Sequence, residues 1–181
     1  MSGTSALVAL RADVRRYAPR ELLTEPALWA IAVYRLGRFT LELPRPVRLA
    51  LFPVYGALHL AVSLLTGISI PKSAEIGPGL RIFHFGGIII HPASRMGANV
   101  TMGHGVTLGV REHRDGAPVI EDDVVLSAYA QVLGGVRVGR GAKVGAMTVV
   151  LDDVPAGATV AGIPARVVGR RDRTADPAEQ F

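Results

Sequence analysis

The chain has 181 residues, of which 49% are hydrophobic, 19% are charged and 6% are aromatic. This composition excludes wholesale disorder, and the absence of cysteine excludes disulfides, thiolate metal sites and cysteine catalysis. The net charge is +5, but the arginines are scattered and no nucleic-acid-binding motif accompanies them, so we expect a solvated basic surface and no nucleic-acid partner.

Three helices are predicted within an α-helical region that covers residues 1–68. The first has apolar residues three or four positions apart, on one helical face: Leu7, Leu10, Val14 and Tyr17. Thr24-Glu25-Pro26 predicts the start of a second helix, with Thr24 as its capping residue, that runs to about Thr40. Leu43–Pro46 predicts a break, and the third helix ends at Gly67.

The third helix contains Leu49–Leu65, "LALFPVYGALHLAVSLL", a stretch without formal charge. A membrane-spanning helix needs about 20 apolar residues, and Pro53 and His59 weaken this one further. We favour a helix buried in an assembly, and peripheral membrane contact through residues 49–65 stays open as the alternative. Because the N-terminus lacks the features of a secretory signal, we expect a cytoplasmic enzyme.

From Ile76 onward, aliphatic residues recur every six positions. The first phase ends at Ile88, a two-residue insertion follows, and the repeat resumes. The repeated positions are Ile76, Ile82, Ile88, Met96, Met102, Leu108, Ile120, Leu126, Val132, Val138, Val144 and Val150. Residues four positions later are small or branched: Leu80, Val100, Val106, Val124, Ala130, Val136, Ala142, Thr148 and Val154. This repeat predicts a three-sided parallel β-solenoid, with the aliphatic side chains pointing inward and glycines at the corners.

The repeat resembles the hexapeptide-repeat acyltransferases, and several segments are similar to serine acetyltransferases and to polysaccharide-pathway O-acetyltransferases. These segments are "AVYRLGRF" (Ala32–Phe39), "GVTLG" (Gly105–Gly109), "VLGGVRVGRGAKVGAMTVV" (Val132–Val150) and "VAGIPARVVG" (Val160–Gly169). The resemblance implies a mainly β protein: a left-handed parallel β-helix over 69–169 after a short helical region, with a flexible tail at 170–181. It also implies acetyl-CoA as cosubstrate and a homotrimer or dimer of trimers with active sites between neighbouring prisms.

His84 comes two residues after the inward Ile82, so we expect its side chain to point out of the solenoid. In the family that the chain resembles, the catalytic base histidine occupies the matching position. Such a base takes a proton from the acceptor hydroxyl while that oxygen attacks the thioester of acetyl-CoA. The alternative is a surface histidine at a subunit seam.

His104 comes two residues after the inward Met102, as His84 does after Ile82. It follows His84 by one eighteen-residue coil plus the two-residue insertion. If the insertion bulges locally, the two histidines stack on the same side of the solenoid. His104 would then orient the substrate or the base, although a histidine ladder with only a packing role stays open.

Two single residues and one residue pair depart from the serine acetyltransferase pattern. Phe83 stands where those enzymes have an aspartate before the base, Ser69 replaces an aspartate that orients the base, and Gly116-Ala117 replaces an arginine-histidine pair before proline. The losses put free serine in doubt as the acceptor and make a sugar hydroxyl a credible alternative, and we assign Phe83 to the acceptor site. His113 and Arg114, in a polar loop predicted over Val110–Ala117, would bind a charged acceptor instead. That loop covers a neighbouring active site or is a plain surface loop.

The cofactor site follows from the resemblance. The positions expected to contact acetyl-CoA are Gly109, Ala128, Lys143, Ala146, Pro164 and Arg166. Ala128 and Ala146 match small residues whose backbone lines the pantetheine groove, and Lys143 and Arg166 match basic positions near the phosphates. We expect no metal.

Three functions remain open at this point. The first is an acetyl-CoA-dependent, serine acetyltransferase-like O-acetyltransferase that uses direct histidine-assisted attack. The second is a sugar O-acetyltransferase of exopolysaccharide synthesis. The third is a non-catalytic trimeric scaffold.

Overall fold

The structure is a computed structural model that describes residues 5–112 and 116–170. Within these residues, four helices precede a solenoid of short strands. The helices are α1 (Ala6–Val14), α2 (Glu21–Thr24), α3 (Ala27–Glu42) and α4 (Arg45–Thr66). His113, Arg114 and residues 171–181 of the predicted tail lie outside the described residues.

The strands form three parallel walls of a prism. Wall A contains β1 (Ile68–Ser69), β4 (Ile88–Ile90), β7 (Thr107–Gly109), β10 (Gln131–Leu133) and β13 (Val149–Val150). Wall B contains β2 (Glu75–Ile76), β5 (Arg95–Met96), β8 (Val119–Ile120) and β11 (Arg137–Val138). Wall C contains β3 (Arg81–Ile82), β6 (Thr101–Met102), β9 (Val125–Leu126), β12 (Lys143–Val144), β14 (Ala158–Ala161) and β15 (Arg166–Arg170). Only the β14–β15 pair is antiparallel among these strands. Strand β15 ends wall C, and its final residue, Arg170, is the first residue of the predicted tail.

The inward column of wall C shows how the repeat forms the core. Its Cα partners, coil by coil, are Ile82, Met102, Leu126, Val144 and Val160. Each of these side chains is at most 3% exposed. All the aliphatic positions of the predicted repeat are buried, which confirms the predicted solenoid and its inward faces.

The two-residue insertion lies earlier than predicted. Ile90, rather than Ile88, aligns with Leu108 of the next coil, while Ile88 is also buried and pairs with Ile68. The extra residues therefore sit in the turn between β3 and β4, where Gly86 and Gly87 take φ values of 109° and 66°. Glycine adopts such angles without steric cost, which lets the turn bulge outward. The insertion directly follows His84.

Helix α1 buries more than the predicted apolar face, and one predicted residue lies outside that face. Ala6, Ala9 and Asp13 are buried, whereas Leu7 is 55% exposed. The reason is electrostatic: Asp13 faces inward to pair with Arg35, whose Nε lies 2.7 Å from its carboxylate. Because a buried charge needs a partner and hydrogen bonds, this pair places a charged residue on the buried face, which the apolar pattern alone does not predict. The other three predicted apolar residues contact the core: Tyr17 is buried in it, and Leu10 and Val14 pack partly against it.

The start of α3 also differs from the prediction. Thr24 ends α2, and its hydroxyl donates to the carbonyl of Arg20 rather than capping α3. The Glu25 carboxylate instead accepts from the Ala27 N–H at 3.5 Å, and Pro26 immediately precedes the helix.

The helical region caps the open edge of the first coil. The Tyr34 hydroxyl donates to the Ala74 carbonyl and accepts from the Ile76 N–H, at 2.9 and 3.1 Å. The Arg35 guanidinium donates to the Ile76 and Gly77 carbonyls. Unpaired strand edges invite unwanted pairing, and solenoids need such caps at their ends. Arg35 is therefore a buried structural residue and not part of the solvated basic surface.

Helix α4 is the least covered element. It has 22 residues, its most apolar stretch has a mean hydropathy of 1.7, and it is long and apolar enough to cross a membrane by length and composition alone. Only 11% of that stretch is buried within the chain. Leu49, Leu60, Leu64 and Leu65 are each more than half exposed. One face packs on the rest of the chain through Tyr55 and Thr66.

Candidate active site

The candidate site lies along the corner that follows wall C. Because Ile82, Met102, Leu126 and Val144 share one register, the residues two positions later fall at the same corner of successive coils. These corner residues are His84, His104, Ala128 and Ala146. The regular coil therefore places the two predicted catalytic histidines at the corner where the two predicted cofactor-contacting alanines follow.

His84 is exposed and has a φ of +63°. Histidine is among the residues that enter this left-handed region more readily than most, but the conformation still costs on the order of 1 kcal/mol. Phe83 immediately precedes His84. Its N–H donates to the Met102 carbonyl, and this is the last hydrogen bond of the parallel ladder before the turn at His84. The prediction that His84 points out of the prism is confirmed.

The two imidazoles are in contact. The ring centroids of His84 and His104 are 5.9 Å apart, and the rings are inclined at 69°. The predicted stacking across one coil is confirmed. His104 is half-buried and also meets the ring of Tyr129 edge to face, with centroids 4.9 Å apart.

Tyr129 is a site residue that the sequence did not single out. It occupies the corner position that Gly105 fills one coil earlier, and its φ is +59°. A Cβ on Gly105 would collide with the Tyr129 ring, so the ring lies directly over that glycine. A tyrosine where the neighbouring coil has glycine was the available signal, because a bulky side chain at positive φ is uncommon.

A cleft of about 220 Å³ opens beside the histidines. It is lined by Phe83, His84, Thr101, Gly103, His104, Val125, Leu126, Ser127 and Ala128. No acidic side chain is in this lining, within the part of the chain that the structure describes. The hydroxyls of Thr101 and Ser127 are the polar side-chain groups that accompany the two imidazoles.

The two residues that stand in place of the expected carboxylates lie in different parts of the solenoid. Phe83 carries the Arg81 guanidinium over its ring, with the guanidinium carbon 4.2 Å from the centroid. Arg81 also approaches the Glu21 carboxylate at 3.4 Å. Ser69 lies in β1 on wall A, beside Ile89, and not in the cleft lining.

The predicted cofactor residues are only partly brought together. Ala128 lines the cleft, Ala146 is exposed one coil further, and Lys143 is the Cα partner of the lining residue Val125. Pro164 and Arg166 are exposed near the β14–β15 connection, beyond Ala146. Gly109 lies on wall A and does not line the cleft, so one chain alone does not bring it to this site. No cluster of three potential metal ligands occurs among the described residues.

Residues 117–152 match a family model described as bacterial transferase hexapeptide (six repeats). Among curated proteins, the chain is 42% identical to a serine acetyltransferase of Bacillus licheniformis over 149 residues, which cover 81% of this chain and 66% of the relative. It is 37% identical to a serine acetyltransferase of Escherichia coli over 145 residues, which cover 79% and 51%. The chain thus spans about half to two thirds of the length of these relatives.

Solved structures are similar over nearly the whole chain. A serine acetyltransferase of Neisseria gonorrhoeae superposes with a TM-score of 0.79 at 32% identity, covering 96% of this chain and 68% of that one. The soybean apoenzyme gives 0.78 at 34% identity, covering 92% and 70%. A Brucella abortus serine acetyltransferase in complex with coenzyme A gives 0.74 at 30% identity, covering 93% and 68%. These neighbours are left-handed β-helices, which confirms the predicted fold class and hand.

Proposed function

Since the chain belongs to the serine acetyltransferase family of hexapeptide-repeat transferases, we propose that it transfers the acetyl group of acetyl-CoA to a hydroxyl group of a small acceptor. The observation that carries this proposal is the contact between His84 and His104 at a cleft that continues toward Ala128. An exposed imidazole beside a cleft of this kind can accept a proton from a bound hydroxyl group. Curated relatives named serine acetyltransferase support the reaction class.

His84 acts as the general base. Its neutral imidazole takes the proton of the acceptor hydroxyl as the oxygen attacks the thioester carbonyl of acetyl-CoA. The tetrahedral intermediate then collapses to the ester, and the coenzyme A thiolate leaves and takes up the proton from the imidazolium. Base assistance of this type is worth roughly 10²- to 10⁴-fold in rate. The edge contact with His104 holds the His84 ring or orients the acceptor.

Acetyl-CoA lies along the corner that carries the two alanines. Ala128 and Ala146 leave room for the pantetheine arm, because their side chains end at Cβ. Lys143 and Arg166 supply positive charge for the phosphates, and Pro164 marks the end of the groove. Structures of related serine acetyltransferases with coenzyme A support acetyl-CoA as the cosubstrate.

L-Serine is the leading acceptor, because the relatives carry that name and one neighbour is a complex with serine. In this assignment His113 and Arg114 bind the charged groups of the amino acid. An uncharged sugar hydroxyl is the second candidate. It is favoured by Phe83 with its Arg81 partner and by the lack of an acidic side chain in the described lining.

Thiol release from acetyl-CoA, followed with L-serine and with a panel of sugars and simple alcohols, tests this function. Saturable release with L-serine supports the leading acceptor, and release with sugars alone supports the second. No release with any acceptor, together with no binding of coenzyme A by calorimetry, would overturn the enzyme assignment. That outcome would leave the third interpretation, a trimeric scaffold.

A trimer in the cytoplasm completes the proposal. Gly109 lies on wall A, away from the histidines of its own chain, so a neighbouring prism is needed to bring such a position to the cleft. The exposed apolar face of α4 is covered within the assembly, or within a dimer of trimers. Sedimentation equilibrium measures the oligomeric state. Co-sedimentation with lipid vesicles by an unassembled chain would instead support peripheral membrane contact through residues 49–65.

A further inference from the structure

The strand that leads to His84 is the first of its wall and has a strand neighbour on one side only. In wall C, β3 pairs with β6. The N–H groups of Arg81 and Phe83 donate to the carbonyls of Val100 and Met102 on the β6 side, so the N–H and C=O of Ile82 point to the open edge. Backbone groups buried at an edge need another partner.

Tyr17 supplies that partner with a single hydroxyl. Its oxygen accepts from the Ile82 N–H at 2.8 Å and donates to the Ile82 carbonyl at 3.1 Å. Tyr17 is 7% exposed, and both hydrogen bonds are buried. The hydroxyl therefore replaces the missing strand at one residue, two positions before His84.

The backbone changes character immediately after this point. Phe83, directly after β3, donates its N–H to the Met102 carbonyl of β6, and His84 then enters the left-handed region at φ +63°. The Arg81 guanidinium lies over both the Phe83 and Tyr17 rings, at 4.2 and 5.6 Å from their centroids. The backbone that leads into the turn at His84 is thus held on one side by β6 and on the other by Tyr17.

We propose that Tyr17 is a positioning residue for His84: its hydroxyl fixes the end of β3 so that the imidazole stays in contact with His104 at the cleft. The inference rests on the proposed function, because it assigns Tyr17 a role in that reaction without contact to the reacting atoms. Small displacements of a catalytic group are costly, since a shift of about 1 Å can lower a rate on the order of 10²-fold.

The chain contains a matched control. The Tyr34 hydroxyl also donates one hydrogen bond and accepts one at the edge of wall B, although its partners belong to two residues, the Ala74 carbonyl and the Ile76 N–H. It is also buried, but β2 leads to no residue of the candidate site. Y34F therefore removes a tyrosine hydroxyl that is hydrogen-bonded to an edge strand, and it leaves the strand before His84 unchanged.

The experiment compares Y17F and Y34F with the wild type in the full chain. Both variants should lower the thermal unfolding midpoint by similar amounts, since each loses one buried hydroxyl. Y17F should lower kcat by about tenfold or more, with KM for acetyl-CoA within about twofold, whereas Y34F should keep both within about twofold. The NMR chemical shifts of the carbon-bound imidazole protons of His84 and His104 should change in Y17F and stay unchanged in Y34F.

Equal kcat in the two variants, with unmoved histidine resonances in Y17F, would overturn the proposal and leave Tyr17 a structural cap. If the wild type has no transferase activity, the proposed function fails, but the histidine resonances still decide whether Tyr17 positions the pair. If Y17F does not fold, amide hydrogen exchange of the wild type tests whether the Tyr17 hydroxyl holds the Ile82 backbone. An Ile82 amide that exchanges as slowly as the Ile76 amide supports this contact, and fast exchange from the folded state contradicts it.

Discussion

The imidazoles of His84 and His104 meet edge to face at 5.9 Å, although one full coil of the prism separates them in the chain. The contact exists because Ile82 and Met102 are Cα partners in adjacent strands and each histidine follows its strand by two residues. A solenoid converts equal positions in the repeat into neighbours in space. The candidate site is thus a direct product of the repeat.

The role of His104 can be separated from that of the base. We expect H104A to lower kcat by about tenfold, less than the loss on removing a general base, because the substitution removes an edge contact and not the proton acceptor. H59A serves as the control, since His59 stacks on Tyr55 in α4, away from the cleft. Steady-state kinetics at saturating acetyl-CoA measure the difference. A wild-type kcat in H104A would show that the contact between the two histidines has only a packing role.

The buried pair of Asp13 and Arg35 should dominate the stability of the helical cap. R35L leaves the Asp13 carboxylate buried without its cation, and we expect a loss of about 3–5 kcal/mol in the free energy of unfolding. R95L is the matched control: Arg95 and Glu75 form an exposed pair at 3.3 Å, worth about 0–1 kcal/mol. Urea titration measures both. Adding D13N to R35L should restore part of the loss, and equal effects of R35L and R95L would contradict the account.

The small side chain of Ala128 should matter for the cosubstrate. A128L places a bulky side chain in the cleft lining, and we expect the Kd for coenzyme A to rise by about tenfold or more, since each 1.4 kcal/mol of lost affinity is tenfold. Ala98 occupies the equivalent place in its repeat at a different corner, so A98L controls for the cost of a leucine at such a turn. Calorimetry of both variants measures the effect. Unchanged affinity in A128L would remove this corner from the cofactor site.

Stability should fall at high pH through Tyr17. Burial raises the pKa of its phenol to about 12, above the ordinary value of 10.0. Between these values the unfolded chain ionises first and binds fewer protons than the native chain, so the free energy of unfolding decreases as pH rises. At about 1.4 kcal/mol per pKa unit, Tyr17 accounts for roughly 2–3 kcal/mol of this decrease, with no such contribution below pH 10.

Urea titrations of the wild type and Y17F from pH 9 to 11.5 check the alkaline effect. Burial also raises the pKa of Tyr34 and Tyr55, but both residues remain in Y17F, so the difference between the curves isolates Tyr17. The wild type should lose more stability than Y17F over this range. Parallel curves would show that the Tyr17 phenol ionises as readily in the folded chain as in the unfolded one.

The solenoid was predictable because its signal is local and repeated. Each inward position, such as Met96 or Val138, has the same residue class every six positions, so sequence alone gives the walls and the stacking of the histidines. The position of the two-residue insertion was not predictable from the sequence, because Ile88 and Ile90 are both isoleucine and both can be buried. Only the pairing of Ile90 with Leu108 decides which one continues the repeat.

The helical cap was harder to predict because its energetics depend on polar contacts between distant segments. Asp13 and Arg35 each resemble a surface charge in sequence, and their burial follows from pairing with each other and with the first coil. Tyr129 was missed for a related reason. Its importance comes from lying over Gly105 and against His104, and both contacts join consecutive coils.

The most direct test of the catalytic proposal is the turnover of H84N, because asparagine tolerates the positive φ that His84 adopts and cannot act as the base. We expect kcat to fall at least about a hundredfold, in line with the loss of general-base assistance, while the Kd for coenzyme A and the unfolding midpoint stay near the wild-type values. Turnover close to that of the wild type would contradict the assignment of His84 as the proton acceptor.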